Sequence, residues 1–342
     1  ISTEVFSSNF STSPALTLPG EQNPWTTPIP LSALDKLIME FKTIYLPGIV
    51  VSVLFLILIM VVCEYAYRLV LANIIPGIFK SCVLDFISAG EATIISWELI
   101  TMFQQYEIEV WTCFAFVSMV IKFYRFKADC VSCPYTHIQS CLKGFISPRH
   151  AIMRIICQFL GGSIFYRIHS RMWDFGLTEI HKGRSYWTSY GICAAWLSEE
   201  TWIGFLYEFT GSLLCGISTT LIFDFDLLPR VSIHVRIFLA STITICLVLT
   251  SFHHTGGFFQ PMLAFVRTFG CVGILRDVTL LDHVIVYWIG ASLGAILAMY
   301  ITPYVKIFCM KTCLKNKVAP ATEKLKKMEE AVPIEDEHKH SI

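Results

Sequence analysis

The chain has 342 residues, of which 54% are apolar and only 15% are charged, whereas about one quarter of a typical soluble domain is charged. Its 26 basic side chains balance 26 acidic ones, so no net charge indicates a nucleic-acid or strongly acidic partner. This composition excludes an ordinary soluble domain and indicates an integral membrane protein.

The first 42 residues form a polar segment that is rich in Ser, Thr and Pro. A segment of this composition cannot bury enough apolar surface to build a core, so 1–42 is predicted to be a disordered tail. Asn9 lies in an Asn-Phe-Ser sequon. It would accept a glycan if the tail faces the lumen or the extracellular space.

Seven segments have the apolar character of membrane spans. The first is uncharged, lies at 43–63 and forms most of an extra N-terminal helix predicted over 43–71. The other six are predicted at 83–102, 110–124, 151–168, 201–223, 231–252 and 283–304. Two segments contain carboxylates, which are Asp85, Glu91 and Glu98 in the second and Glu208 in the fifth. Because isolated charges are costly in lipid, these helices are predicted to pack around a polar interior.

Basic residues indicate the orientation of the spans. They cluster after the third segment and at the start of the C-terminal tail, 308–342, which ends in an acidic stretch. Lys and Arg are retained on the cytoplasmic side of a membrane, so both clusters are predicted to be cytoplasmic. Seven spans then place the N-terminal tail on the lumenal or extracellular side.

Two further apolar patches, at 131–142 and 258–266, are about ten residues long and therefore too short to span a bilayer. Each has a proline near its start, Pro134 in the first patch and Pro261 in the second. Proline is favoured in the first turn of a helix, where its missing N–H would have no partner anyway. Both patches are therefore predicted to be re-entrant half-helices.

The two patches belong to a repeated order of elements. Asp85-Phe86 opens the second segment and Glu208-Phe209 opens the fifth, and each is followed by a second span, a proline-started patch and a third span. Three spans per copy invert the second repeat in the membrane. We predict a first repeat over 83–200, including an outer loop, and a second over 201–307. Their half-helices, near 133–142 and 260–268, would meet at the bilayer midplane.

This arrangement resembles the aquaporin family, and in particular its superaquaporin branch. In aquaporins each half-helix starts with Asn-Pro-Ala, and the boxes at these positions here are Cys133-Pro134-Tyr135 and Gln260-Pro261-Met262. Three longer segments are similar to the surroundings of the second box, to the last helix of the family and to a superaquaporin loop; they lie at 255–265, 287–295 and 173–181.

The resemblance implies an all-α membrane protein with an inverted repeat of six spans, two re-entrant half-helices and one extra N-terminal span. It implies a passive channel for water or small neutral solutes such as glycerol or hydrogen peroxide, and neither an enzyme nor a binder of nucleic acid, metal or cofactor. It also implies a homotetramer in a lipid bilayer. Members of this branch are often intracellular, which favours the endoplasmic reticulum over the plasma membrane.

The boxes depart from the family pattern. Cys133 is a poor hydrogen-bond donor, whereas Gln260 keeps the amide on a chain that is one methylene longer. Tyr135 and Met262 replace the small Ala that lets the two half-helix tips meet closely. We therefore expect a midplane site that is less polar and differently shaped.

A second departure concerns the selectivity filter. Orthodox aquaporins place an arginine directly after the second box, but this position holds Leu263, and Arg267 follows one helical turn later. Without that charge, the sequence does not support exclusion of ammonium or protons at the outer mouth.

The resemblance also assigns roles to two carboxylates and a cysteine. Asp85 and Glu208 match the buried carboxylates that brace the half-helix loops by accepting backbone N–H bonds, and Glu91 is an alternative match in the first repeat. Superaquaporins carry a cysteine nine residues after the second box, which is Cys271 here. A free Cys271 thiol is favoured over a disulfide with Cys193.

Two alternatives to a channel remain open. Because both boxes and the filter position have changed, the chain could be a non-conducting structural or assembly protein on an aquaporin scaffold. A seven-span receptor is disfavoured by the repeat and by the half-length patches. An enzyme is disfavoured because no nucleophile, base and orienting acid occur together. Zinc binding by Cys130 and Cys133 is disfavoured because no further ligands follow at metal spacing.

Overall fold

The computed structural model describes residues 48–72, 77–105, 108–125, 131–191, 193–224, 227–273 and 276–330. The predicted tail 1–42 with Asn9, residues 43–47 of the predicted extra helix, and the acidic end of the chain lie outside these ranges.

The described part of the chain is almost entirely helical. Its helices are α1 (Gly48–Ala72), α2 (Gly77–Gln105), α3 (Ile108–Arg125), α4 (Pro134–Leu142), α5 (Pro148–Trp173), α6 (Glu179–Ser189), α7 (Thr201–Phe223), α8 (Ile233–Thr255), α9 (Pro261–Thr268), α10 (Leu280–His283) and α11 (Ala291–Glu330). A π-helical segment, Val284–Gly290, joins α10 to α11. Two short strands, β1 (Ala194–Ala195) and β2 (Val272–Gly273), pair in parallel.

Five stretches of the described chain are long and apolar enough to cross a membrane, and they are α1, α5, α7, α8 and the segment Leu280–Thr312. The two other predicted spans are also helices, α2 and α3. Each carries at least three charged side chains. The predicted class, an all-α membrane protein, is confirmed at this level.

Several helices extend beyond the apolar windows that predicted them. Helix α5 begins at Pro148 because Ser147 caps it by accepting a hydrogen bond from the backbone N–H of His150, and it continues to Trp173 rather than 168. Helix α11 continues through the first part of the predicted C-terminal tail to Glu330. Hydropathy marks only the part of a helix that lipid could cover, so polar helical ends are missed.

Glycines allow two pairs of helices to cross closely. A Cβ atom on Gly161 of α5 would lie 2.2 Å from the backbone oxygen of Phe86 in α2. A Cβ atom on Gly294 of α11 would lie 2.1 Å from the backbone oxygen of Phe209 in α7. Both contacts therefore require glycine. In both, the neighbouring backbone is that of the phenylalanine that follows the repeated carboxylate, Asp85 or Glu208.

Candidate functional site

The two short helices begin at side chains that touch each other. Cys133 and Gln260 are the N-cap residues of α4 and α9, and a proline follows each of them at the first helical position. The Cys133 thiol donates a hydrogen bond to Gln260 Oε1 over 2.9 Å. Neither side chain caps its own helix. The N-termini of α4 and α9 therefore face each other.

The residues after the two prolines have different surroundings. Met262 is completely buried and packs with Ala89 and Ala92 of α2. A Cβ atom on Gly162 would lie 2.8 Å from Met262 Sδ, so this glycine makes room for the long side chain. Tyr135 is half-buried, and its hydroxyl interacts with the Cys133 thiol. The Met262 side chain is thus buried between α2 and α5, whereas the Tyr135 side chain lies beside the N-cap residue Cys133.

Glu208 holds the loop before α9. Its Oε1 accepts hydrogen bonds from the Thr255 hydroxyl at 2.6 Å and from the Phe258 backbone N–H at 3.1 Å. Its Oε2 accepts the Phe259 backbone N–H at 2.6 Å. Phe259 has a φ of 50°, a left-handed conformation that is unfavourable for a bulky residue. The buried carboxylate therefore stabilises a strained loop at the start of α9.

Asp85 contacts the loop before α4 by different chemistry. Its Oδ1 accepts one backbone N–H, from Val131 at 3.0 Å. The Arg154 guanidinium donates to both carboxylate oxygens, over 2.6 Å and 3.0 Å, and His137 Nε2 lies 2.9 Å from Oδ2. Asp85 is fully buried. Asp85 therefore holds this loop mainly through its ion pair with Arg154, and it accepts one backbone hydrogen bond from the described part of the loop.

Glu91, the alternative match in the first repeat, contacts other parts of the protein. Arg125 of α3 pairs with Glu91. The same arginine donates to Glu64 at 3.1 Å and to the Met60 backbone oxygen at 2.6 Å, both in α1. Glu91 thus links α2 to α3 and α1, and among these carboxylates Asp85 is the one that contacts the loop before α4.

The far end of α9 carries a guanidinium that sequence reasoning did not assign to the site. Leu263 packs beside Met262 in the apolar cluster with α2. One turn later, Arg267 Nη1 donates to Ser96 Oγ over 2.9 Å. The Arg267 Cζ atom lies 5.1 Å from the centroid of the Trp97 ring and 5.3 Å from that of Phe258. The sequence held one indication of this role, since Arg267 lies one helical turn after the position where orthodox aquaporins have their filter arginine.

A covalent link joins the two loops near this end of α9. Cys271 forms a disulfide with Cys193, so the favoured free thiol at Cys271 is wrong. The same loops pair through β1 and β2, with Ala194 opposite Val272 and Ala195 opposite Gly273. Because the strands bring the backbones together, the two sulfur atoms come within bonding distance. From the sequence, the disulfide between Cys193 and Cys271 was the disfavoured alternative to a free thiol.

A buried polar cluster lies where α2, α5 and α6 meet. The Trp173 indole donates to Glu98 Oε1 over 2.8 Å. His169 Nε2 lies 2.8 Å from Oε1 and His181 Nε2 lies 3.4 Å from Oε2. All four side chains are essentially inaccessible to solvent. Trp173 and His181 are the two ends of the loop pattern noted in the sequence, and the cluster shows what those ends contact.

Metal binding has no support in the described ranges, which contain no group of three or more His, Cys, Asp or Glu side chains able to hold an ion. Cys130, the first cysteine of the Cys-x-x-Cys pair, lies outside those ranges.

Comparison with known proteins points to one family. No protein-family model matches the sequence. The curated protein Aquaporin-11 of Milnesium tardigradum is 23% identical over 256 residues, which cover 74% of this chain and 85% of that protein. This similarity supports membership of the aquaporin superfamily. Together with the five apolar stretches, it supports a multi-pass membrane protein.

Proposed function

We propose that the protein is a passive channel for water and small neutral solutes such as glycerol and hydrogen peroxide, built on the superaquaporin plan. The observation that carries this proposal is the contact between Cys133 and Gln260. Two proline-started helices, each shorter than a span, meet there by their N-termini. The similarity to a protein named as an aquaporin supports the same class.

The proposed architecture is an inverted repeat of six spans and two half-helices, with α1 as an additional span. It is supported by matching contacts in the two halves. Asp85 and Glu208 each contact the loop before a half-helix, and Phe86 and Phe209 are each crossed by a glycine of a later helix. The repeats would comprise 83–200 and 201–307.

The facing N-termini would favour neutral solutes. Each helix N-terminus carries a partial positive charge of roughly half an elementary unit and several unpaired N–H donors. Cations are disfavoured between two such ends, while a water or a hydroxyl can accept hydrogen bonds. Gln260 Oε1 is occupied by Cys133, which leaves the amide nitrogen of Gln260 as the side-chain donor for a passing solute.

The outer filter would be formed by other residues than in orthodox aquaporins. Leu263 occupies the sequence position but packs against α2. Arg267 supplies the guanidinium and Trp97 and Phe258 supply the aromatic walls. In this arrangement Arg267 provides the charge that repels cations, one helical turn after position 263.

The remaining family expectations also stand as proposals. The distribution of Lys and Arg supports a cytoplasmic C-terminal tail and a lumenal or extracellular N-terminal tail, glycosylated at Asn9. The aquaporin similarity supports a homotetramer in an intracellular membrane, such as the endoplasmic reticulum.

A second candidate is a non-conducting structural protein on the same scaffold. The observation that favours it is again the Cys133–Gln260 hydrogen bond, because two box side chains that bind each other would obstruct a passage between the two half-helices. The Tyr135 side chain lies beside them. Transport measurements distinguish the two candidates.

The test uses the purified full-length protein in liposomes. Osmotic shrinkage followed by light scattering measures water flux, and an enclosed peroxide-sensitive dye measures peroxide entry. A channel predicts that both rates exceed those of protein-free liposomes and that Gln260→Met, which removes the amide donor, lowers the water rate. Met153→Leu, on the exposed face of α5, serves as the matched control. Folded protein that leaves both rates at the lipid background would favour the structural candidate.

A further inference from the structure

Two arginines from distant parts of the chain lie beside the same indole. The Cζ atom of Arg184, on α6, is 5.8 Å from the centroid of the Trp97 ring. The Cζ atom of Arg267, on α9, is 5.1 Å from the same centroid. The two guanidiniums are therefore no farther apart than the sum of these distances. We call Arg184 and Arg267 the guanidinium pair.

Neither member of the pair forms an ion pair with a carboxylate in the part of the chain that the structure describes. Arg267 donates only from Nη1, to Ser96. The Nε and Nη2 atoms of Arg184 are buried and have no hydrogen-bond partner among the described residues. Buried polar groups without a partner are rare in folded proteins, so each such donor requires an explanation.

The carboxylate of Glu98 does not satisfy these donors. Glu98 acts on Arg184 electrostatically. Its Oε1, however, accepts the Trp173 indole and lies next to His169, and its Oε2 lies next to His181. The carboxylate is therefore committed to the buried cluster between α2, α5 and α6. Arg184 therefore keeps two buried donors that no described group satisfies.

Both arginines carry their charge at neutral pH. Burial lowers the pKa of Arg184 only to about 10, and a guanidinium does not lose its proton in proteins under ordinary conditions. The two guanidiniums act on each other electrostatically, and like charges in a poorly solvated region repel each other. The arrangement is relieved by a negative charge that accepts hydrogen bonds from both side chains.

We propose that a small monovalent anion binds to the guanidinium pair beside Trp97. Guanidiniums offer several N–H donors in a planar fork, which suits a halide or a small oxyanion. One arginine belongs to the loop helix α6 and the other to α9, so binding would also hold these two elements together. The binding does not depend on conduction and is expected whether or not a solute passes through the protein.

Chloride binding to the full-length protein in a non-ionic detergent tests the proposal. The line width of ³⁵Cl is measured while chloride replaces gluconate at constant ionic strength. We expect a saturable protein-dependent broadening in the wild type. Removing one charged donor, by Arg184→Gln or by Arg267→Gln, should weaken the apparent affinity by about tenfold or more. Nitrate and acetate, added as competitors, distinguish a halide site from a site for oxyanions or carboxylates.

The control is Arg171→Gln, because the Arg171 side chain is 85% exposed and its loss should leave the broadening unchanged. If the pair variants fail to fold, the wild type still provides a test, since an anion that binds the folded state raises the melting temperature in chloride relative to gluconate. Broadening that never saturates in the wild type, or that is unchanged in both pair variants, would overturn the proposal.

Discussion

The two carboxylates that contact the loops before the half-helices differ in their bonding partners. Asp85 is part of an ion pair with Arg154 and accepts one backbone N–H, whereas Glu208 accepts two backbone N–H groups and one hydroxyl. The first loop therefore depends on a buried charge that is matched by another charge. The second depends on hydrogen bonds to a carboxylate that has no ion-pair partner in the described ranges.

This difference predicts unequal effects of amide substitutions. Asp85→Asn removes the carboxylate charge that pairs with the Arg154 guanidinium in a site that is almost dry, and breaking one side of such a pair costs about 3–5 kcal/mol. Glu208→Gln keeps one carbonyl oxygen and leaves some N–H groups unsatisfied, at about 1–3 kcal/mol. Thermal unfolding of the detergent-solubilised full-length protein should show a larger loss for Asp85→Asn.

Two further variants make this test specific. Adding Arg154→Met to Asp85→Asn also removes the buried positive charge that the Asp85 carboxylate had matched, and should restore part of the stability. Asp174→Asn is the control, because its pair with Arg171 is exposed and such pairs contribute little. Equal losses for Asp85→Asn and Asp174→Asn would contradict the assignment of Asp85 to a buried ion pair.

Helices meet at places where a single methyl group decides the fit. Gly161 lies against the backbone of Phe86, and Gly294 lies against the backbone of Phe209. Closely approaching backbones are typical of membrane helices, where small residues allow tight packing. The nearest atoms belong to the main chain, so the helices cannot accommodate a side chain by a change of rotamer.

Substitution of these glycines by alanine is expected to separate the helices. Gly161→Ala and Gly294→Ala should each destabilise the protein, by about 1–3 kcal/mol if the helices shift to relieve the overlap. Gly183→Ala is the matched control, since it is also helical and no atom lies within 4 Å of its added Cβ; alanine should be neutral or slightly stabilising there. The melting temperatures of the three variants provide the comparison, and a harmless Gly294→Ala would refute the close crossing.

The π-helical segment and the α10 residue before it each place a side chain near α9, one on the end of α8 and one on α9 itself. Tyr287 donates its hydroxyl to the Thr255 backbone oxygen over 2.8 Å. His283 Nε2 lies 3.0 Å from Thr268 Oγ1 and 3.2 Å from the Ala264 backbone oxygen. A π-helical turn shifts the register of the side chains relative to an α-helix. This part of the chain therefore contacts both the end of α8 and α9.

At the scale of the whole molecule, local sequence properties predicted the helices well. Apolar windows and prolines at helix starts are local signals, because a span or a first turn requires them regardless of its neighbours. The class of helical membrane protein followed from them and is confirmed. The exact helix ends did not follow, since α5 and α11 continue with polar residues that hydropathy does not mark.

Long-range contacts were the part that the sequence did not reveal. Arg267 bonds to Ser96, which is 171 positions away, and Cys193 joins Cys271 across 78 positions. Trp173 reaches Glu98 across 75 positions. No local pattern records such partners, because they depend on how separate helices pack. The resemblance to a family supplied positions such as Leu263, but it could not show that Arg267 is the residue beside Trp97.

Two independent physical rules agree on the orientation of the protein. A disulfide persists in an oxidising compartment, which predicts that the loops with Cys193 and Cys271 lie away from the cytosol. Basic residues are retained on the cytoplasmic side, and Lys306 and Lys311 lie toward the other end of the last long helix. Since α9 points its C-terminus at the disulfide, the mouth that holds Arg267 is predicted to face the lumen or the cell exterior.

This orientation makes a prediction about protease access to the intact protein. In sealed microsomes, an epitope added after Ile342 should be removed by external protease, while the N-terminal tail should be protected and should lose mass on deglycosylation. Asn9→Gln should abolish that mass change, with Asn23→Gln as a control because Asn23 precedes a proline and is not in a sequon. Protection of the C-terminal epitope until detergent is added would reverse the topology and would place the disulfide in the reducing cytosol, which the rule for disulfides does not permit.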